Sequence, residues 1–153
     1  MSNTIKISKN STVPEWSIFT PKKSYSPNVM YYMEDENGMY AYAIVSTDTI
    51  HKVGTFIDYF EVKKDYMRRG IGTRLLNEII SIHKNVYLSS PYNSCKFYLK
   101  LGAKPFASHS HCWILGFTER FPIENWKLWG GEGFCSKPVD NFKYDEKEWL
   151  EIQ

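Results

Sequence analysis

Two glycines spaced two residues apart, Gly70 and Gly72, follow Arg68 and Arg69 where a predicted strand leads into a predicted helix. Glycines let a backbone turn tightly and come close to a ligand. The first turn of a helix offers free N–H groups and a positive dipole end, which suit phosphate oxygens. Between Glu61 and Arg74, five basic residues stand against two acidic ones. This pattern predicts an anion-binding turn, although the Gly-x-Gly spacing alone is more typical of an ordinary strand-to-helix turn.

Two better-known phosphate motifs are excluded by spacing. The dinucleotide fingerprint needs a third glycine three residues after Gly72, and none is present. The nucleotide P-loop needs Gly-Lys-Ser/Thr after its glycines, and this is also missing. The turn therefore calls for another class of phosphate ligand.

The elements around the turn follow from hydrophobic periodicity. Residues 71–83 place apolar side chains on one helical face, and a second helix over 94–101 would end before Gly102. Alternating and β-branched runs predict strands, with a hairpin turn at 35–38. A meander followed by strand–helix–strand–helix–strand predicts an α/β (α+β) fold with a mixed sheet. The predicted strands are 29–34, 39–46, 53–62, 86–89 and 105–117.

Composition limits the function classes. The chain has 153 residues, 42% of them hydrophobic, which predicts a single domain over 1–153. A net charge of +2 gives no general attraction to nucleic acid or membrane. Three cysteines without paired spacing suit reduced thiols, and no stretch reaches the roughly 18 apolar residues of a membrane helix. The polar N-terminus lacks a signal-peptide core, so we expect a cytoplasmic protein.

Two segments carry a family resemblance. Residues 57–76 resemble the GNAT superfamily of N-acetyltransferases, whose signature Gln/Arg-x-x-Gly-x-Gly/Ala follows a strand ending in Val and opens a helix. Residues 97–103, Phe-Tyr-Leu-Lys-Leu-Gly-Ala, are similar to the family's Phe-Tyr-Glu-Lys-Leu-Gly-Phe. The resemblance implies a mostly antiparallel twisted sheet flanked by helices. It also implies acetyl-CoA as co-substrate, no metal, and acetyl transfer to a primary amine.

The resemblance also assigns residues. Backbone amides of the turn would hold the coenzyme A pyrophosphate, and the backbones of Phe60 and Val62 would bind the pantetheine arm. Tyr98 would protonate the departing thiolate, although a core aromatic is the alternative interpretation of this residue. The turn residues concerned are Arg68, Arg69, Gly70, Ile71, Gly72 and Thr73.

Two positions depart from the family pattern. Met67 stands at the first position of the signature, where Gln or Arg is usual, so Arg68 and Arg69 would take over that phosphate contact. Pro91 stands where the family commonly has Asn, and Asn93 is the nearby replacement.

The acceptor side is less well defined. Strict alternation along strand 53–62 would place Asp58 on the face of Phe60 and Val62, which favours Asp58 as general base with Glu61 as the alternative. Residues 9–28 are short and interrupted by prolines, so we expect the helices on the acceptor side to be short or absent. The open cleft would be completed by the C-terminal segment or by a second subunit, as in a homodimer.

Three function hypotheses remain. The first is an N-acetyltransferase acting on a small amine, a protein lysine or a protein N-terminus. The second is a non-catalytic acyl-CoA-binding module, suggested by Met67 and the missing Asn. A nucleic-acid binder using Lys63 and Lys64 is the weakest, because the total charge is near neutral. His109 and His111 on one predicted strand form half a metal site at most, and no second cluster completes it.

Overall fold

The computed structural model describes residues 4–9, 12–19, 28–47, 54–83, 85–91, 95–109, 112–117 and 137–138. The strands of this part form one sheet in the order β1-β2-β3-β4-β5-β7-β6-β8. The strands are β1 Lys6–Ser8, β2 Asn28–Asp35, β3 Gly38–Thr47, β4 Thr55–Val62, β5 Val86–Pro91, β6 Lys104–His109, β7 Cys112–Gly116 and β8 Lys137–Pro138. The helices are α1 Ile71–Ile82 and α2 Cys95–Lys100, and a 3-10 turn covers Lys64–Tyr66.

The sheet is mixed and mostly antiparallel, as the sequence predicted. Within the described residues β4 and β5 form the single parallel pair, and α1 connects them. A parallel pair needs such a crossover, whereas the hairpin between β2 and β3 closes through a two-residue turn. The predicted hairpin and both predicted helices are therefore present.

Helix α1 is held against the sheet by its apolar face. Ile71, Leu75, Leu76 and Ile79 are buried in the main core cluster, together with residues of β2 to β5. These positions follow the helical period that the sequence predicted over 71–83. The helix begins after Gly70, whose φ of 75° is left-handed, so the strand-to-helix turn is stable there without a Cβ penalty. None of the helices in the described ranges is long and apolar enough to cross a membrane.

The prediction of a single strand over residues 105–117 is wrong. The chain forms two antiparallel strands, β6 and β7, with His109 opposite Cys112. Because the chain reverses direction, the backbone N–H and C=O groups of β6 can form hydrogen bonds with those of β7. One long strand would need other strands as partners for the same groups. His109 is the last residue of β6, and His111, its predicted partner on one strand face, lies outside the described residues.

Strand β4 contains an extra residue. Ile44 of β3 pairs with Tyr59 and the next residue, Val45, pairs with Ile57, so Asp58 is bulged. On its other edge, β4 pairs with β5 only as far as Ile57 opposite Leu88. Beyond that point β5 continues along β7. The sheet therefore opens between the carboxyl ends of β4 and β5, and this opening positions the site.

Candidate active site

A cavity of about 670 Å³ lies at the opening beside β4. It gathers three elements that are distant in sequence: the end of β4, the turn before α1, and α2. Most of the predicted site residues line it, namely Phe60, Glu61, Val62, Arg68, Gly70, Ile71, Gly72, Thr73 and Tyr98. Ile18, Phe19, Tyr66, Met67 and Phe97 complete the described lining.

The turn that leads into α1 has a backbone geometry that suits a bound anion. Arg68 and Gly70 both adopt left-handed φ values, 63° and 75°. The first helical hydrogen bond runs from the Arg74 amide to the Gly70 carbonyl at 3.0 Å, so the amides of residues 71–73 precede the helical ladder. The first turn of α1 carries no acidic side chain. Concave runs of amides at a helix start favour phosphate groups.

Gly72 sets the distance between α1 and the cavity wall. A Cβ at this position would lie 3.4 Å from Phe97 Cζ and 3.5 Å from Val62 Cγ2. Such contacts are ordinary for van der Waals packing, so a methyl group fits but takes space from the cavity. Gly72 is therefore needed because a larger side chain would reduce the cavity volume, whereas Gly70 is needed for its left-handed backbone conformation.

Tyr98 lies on α2 and lines the cavity. Its ring meets Phe97 at 5.1 Å and Phe60 at 6.3 Å between centroids, both edge to face. Leu99, the next residue, is buried in the core and anchors the helix. The backbone beyond it ends in Gly102 with a φ of 102°, as the motif predicted. Tyr98 is thus half-buried and contributes to the lining of the cavity.

Arg69 is not among the residues that line the cavity. Its guanidinium lies 5.1 Å from the centre of the Tyr66 ring, a cation–π contact. Tyr66 is itself stacked on Tyr40 with centroids 4.7 Å apart, and its hydroxyl donates to Asp35 Oδ2 at 2.6 Å. Of the two arginines, Arg68 therefore lines the cavity, and Arg69 stabilises the turn through its contact with the Tyr66 ring.

Glu61 is fixed at the cavity by donors from other parts of the chain. Ser17 Oγ donates to Glu61 Oε1 at 2.7 Å and the Tyr42 hydroxyl donates at 3.1 Å. The backbone amide of Ile18 donates to the second oxygen at 3.2 Å. Burial raises the pKa of Tyr42 well above its usual value, so this phenol remains a neutral donor. The carboxylate is held in one position and ties residues 12–19 to β4.

The prediction that Asp58 lies on the same face of the sheet as Phe60 and Val62 is wrong. Ile57, Phe60 and Val62 pack into the core beneath α1, whereas Tyr59 packs into the cluster on the other side of the sheet. Asp58 accepts a 2.7 Å hydrogen bond from Ser46, whose β4 partner is Phe56. The bulge resets the alternation, so Asp58 lies on the face opposite Val62, on the same side as Glu61.

Asp58 has an unusual carboxyl group nonetheless. Desolvation by the surrounding protein raises its pKa to about 6, and the Ser46 hydrogen bond opposes this shift. The residue keeps an exposed surface but does not line the cavity. Glu61, which does line it, is the better placed of the two carboxylates for chemistry there.

Sequence reasoning missed the wall formed by Ile18 and Phe19 and the support from Ser17, Tyr42 and Tyr66. The adjacent apolar pair at 18–19, within an otherwise polar segment, was the available signal. Asn93, proposed as a coenzyme A ligand, lies outside the described residues. Among the residues the structure describes, no group of three His, Cys, Asp or Glu side chains is arranged to hold a metal ion.

Solved structures share this fold at low sequence identity. Protein PH1933 from Pyrococcus horikoshii OT3 is 16% identical with a TM-score of 0.53, over 60% of this chain and 66% of its own. An acetyltransferase from Thermus thermophilus is 9% identical with a TM-score of 0.51, over 58% and 62% respectively. An N-acetyltransferase from Staphylococcus aureus Mu50 is 16% identical with a TM-score of 0.50, over 57% and 68%. The chain thus spans about two thirds of the length of these structures, and the likeness is one of fold.

The family is shown by sequence. None of the curated proteins matches the chain. Residues 26–102, half of its 153 residues, match the model of the acetyltransferase (GNAT) domain. The match includes the turn at Gly70 and the helix that carries Tyr98. The chain therefore belongs to the GNAT acetyltransferase family.

Proposed function

We propose that this chain is an acetyl-CoA-dependent N-acetyltransferase that acetylates a primary amine by direct attack on the thioester. The observation that carries the proposal is the shared cavity, which brings the Gly70 turn, the free end of β4 and Tyr98 together. Acetyl-CoA has a diphosphate, an extended amide-containing arm and a thioester, in that order. The cavity lining includes a group suited to each of these parts: the turn before α1 for the anion, the end of β4 for the arm and the Tyr98 phenol for the leaving thiolate.

The binding roles follow from this order. The amides of residues 71–73 and the Arg68 side chain would hold the pyrophosphate, since an anion is favoured at a helix start. The pantetheine arm would lie along β4 beside Phe60 and Val62, where β5 has separated from the strand. Its amide groups can then pair with backbone groups as an added strand would.

The reaction needs two proton transfers. The amine nitrogen bonds to the carbonyl carbon of the thioester, and collapse of the tetrahedral intermediate breaks the carbon–sulfur bond. The departing thiolate takes a proton from the Tyr98 hydroxyl, and the proton lost by the nitrogen passes to Glu61 directly or through water. Solvent then returns a proton to Tyr98 and takes one from Glu61. Products are the acetylated amine and free coenzyme A. Acetyl-CoA is a metabolite of the cytosol, so we place the reaction in the cytoplasm.

Calorimetry with acetyl-CoA tests the binding half of the proposal. Gly72→Glu should abolish binding, because its side chain would fill the space beside Phe97 and repel the phosphates. Asn77→Glu is the matched control, since it adds the same charge at an exposed position of α1 and should bind as the wild type does. Equal affinity for Gly72→Glu and wild type would overturn the assignment of the cavity.

Mass spectrometry tests the catalytic half. Incubation with acetyl-CoA and a panel of amines should yield an acetylated product and one free thiol per product. Binding of acetyl-CoA without product or thiol release on the whole panel would instead support a non-catalytic acyl-CoA-binding module. The observation that favours this second function is the exposed Met67, which lines the cavity where the family signature has a polar residue.

A further inference from the structure

Exposed apolar side chains gather around the cavity. Among the described residues six large hydrophobic side chains are exposed, and four of them line this one space. They are Ile18 at 82% exposure, Met67 at 53%, and Phe19 and Phe97 at 37% each. Single exposed apolar residues are ordinary on protein surfaces, but their concentration in a concave site indicates a ligand with apolar surface.

These four residues belong to two different walls. Met67 and Phe97 come from the turn and from α2, on the side where the acetyl-CoA arm is expected. Ile18 and Phe19 come from the segment 12–19, which packs on the opposite face of the sheet. The Phe19 ring lies 5.4 Å from that of Tyr59, on this opposite face. Ile18 and Phe19 are therefore the apolar surface of the acceptor side.

One negative charge stands beside this apolar surface. Glu61 accepts a hydrogen bond from the Ile18 amide, so its carboxylate adjoins the acceptor wall. It is the sole acidic residue in the described lining, and the basic Arg68 lines the same cavity. A single carboxylate next to apolar side chains matches one ammonium group with a hydrophobic body. A polycation would leave its further charges beside apolar groups, which is unfavourable.

We propose, resting on the N-acetyltransferase function above, that the acceptor is a small arylalkylamine. Its primary amine faces Glu61, and its ring packs on Ile18 and Phe19. On reaction, the ammonium first gives one proton to Glu61, which passes it to solvent. The neutral nitrogen then bonds to the acetyl carbon and loses a second proton, the carbon–sulfur bond breaks, and the thiolate gains a proton, so one proton is released per turnover. Specificity then comes from the acceptor wall, and the binding of acetyl-CoA comes from the other side of β4.

Kinetics with phenethylamine and spermidine test this assignment at saturating acetyl-CoA, with thiol release as the readout. Phenethylamine should have the higher kcat/KM. Ile18→Ser and Phe19→Ser should each raise the KM for phenethylamine about tenfold, the range expected for lost apolar contact in a pocket. Both should leave the KM for acetyl-CoA unchanged, which also shows that the cavity remains folded. Ile82→Ser is the matched control, because Ile82 is exposed at 47% on α1 outside the cavity lining.

The outcomes separate this inference from the proposed function. Preference for spermidine, or an unchanged KM for phenethylamine in both wall variants, would overturn the acceptor assignment while leaving N-acetylation intact. Thiol release with neither of these amines nor with any of the broader panel would overturn both proposals. Equal KM increases in the wall variants and in Ile82→Ser would indicate a general loss of structure and also overturn the assignment.

Discussion

The Tyr66 hydroxyl donates a 2.6 Å hydrogen bond to Oδ2 of Asp35, which joins the β2–β3 hairpin to the chain just before the turn into α1. This bond is the largest reason why the pKa of Asp35 is lowered, so the carboxylate is ionised and accepts strongly. Tyr66 also stacks on Tyr40 and lies beneath Arg69. The turn is therefore supported by side chains to which the proposed mechanism assigns no contact with a ligand.

Removing this bond should weaken acetyl-CoA binding. Tyr66→Phe keeps the stack and the cation–π contact but deletes the donor, so we expect the KM for acetyl-CoA to rise a fewfold with kcat unchanged. Asp35→Asn should act in the same direction. The double variant should be no worse than the more affected single one, because both remove one interaction. Additive effects in this double-mutant cycle would contradict a positioning role through the Tyr66–Asp35 bond.

The two glycines of the turn should respond differently to alanine. Gly70→Ala places a Cβ on a left-handed residue with no atom within 4 Å of it, so the cost is conformational, about 1 kcal/mol. Thermal unfolding should show a lower Tm. Gly102→Ala is the matched control, since Gly102 is also left-handed and uncrowded but lies outside the cavity lining. Both variants should lose Tm, and an unchanged Tm in Gly70→Ala would argue against the left-handed turn.

Gly72→Ala should separate binding from stability. The new methyl group adds helix propensity of up to about 1 kcal/mol, so the Tm should stay level or rise. The same methyl group narrows the cavity beside Phe97 and Val62, so the dissociation constant for acetyl-CoA should increase. Calorimetry and thermal unfolding of one sample check both effects. A Tm loss with unaltered affinity would show that Gly72 is a packing residue only.

Asp58 should make stability depend on pH. The carboxyl ionises near pH 4 in an unfolded chain but at about pH 6 in the fold. The folded state therefore binds more protons between these values, and its stability falls as the pH rises through them. Asp58→Asn should remove this loss, with a gain of about 1 kcal/mol or less at pH 7.5, since an exposed residue is screened by solvent. Urea unfolding at pH 4 and pH 7.5 gives the comparison, and a gain equal at both pH values would refute the assignment.

Tyr98→Phe should affect turnover and spare binding. Loss of a positioned proton donor should lower kcat about 100-fold, because the thiolate would then leave unprotonated. The ring contacts with Phe60 and Phe97 are retained, so affinity for acetyl-CoA should not change. Single-turnover kinetics with a reactive amine measure the chemical step. An unaltered rate would assign Tyr98 to packing alone.

Local patterns predicted much of the cofactor side of the site. The turn at residues 68–73, the buried face of α1 and the left-handed Gly102 depend on neighbours within a few positions, so their signals lie in short stretches of sequence. The division of residues 105–117 into two strands was missed, because hydrophobic pattern alone does not reveal where a strand reverses.

Tertiary structure decided which residues form the proposed acceptor side of the cavity. The bulge at Asp58 arises from its pairing with β3, so strict alternation placed this residue on the wrong face. Glu61 acquires its fixed position from Ser17, 44 residues earlier, and from Tyr42, 19 residues earlier. Sequence by itself determined the turn at residues 68–73, the helix that follows it and the Tyr98 motif, because conformational preference and periodicity are short-range. Only the fold determined which carboxylate faces the cavity and which apolar residues wall it, because these depend on strand register and on contacts between distant segments.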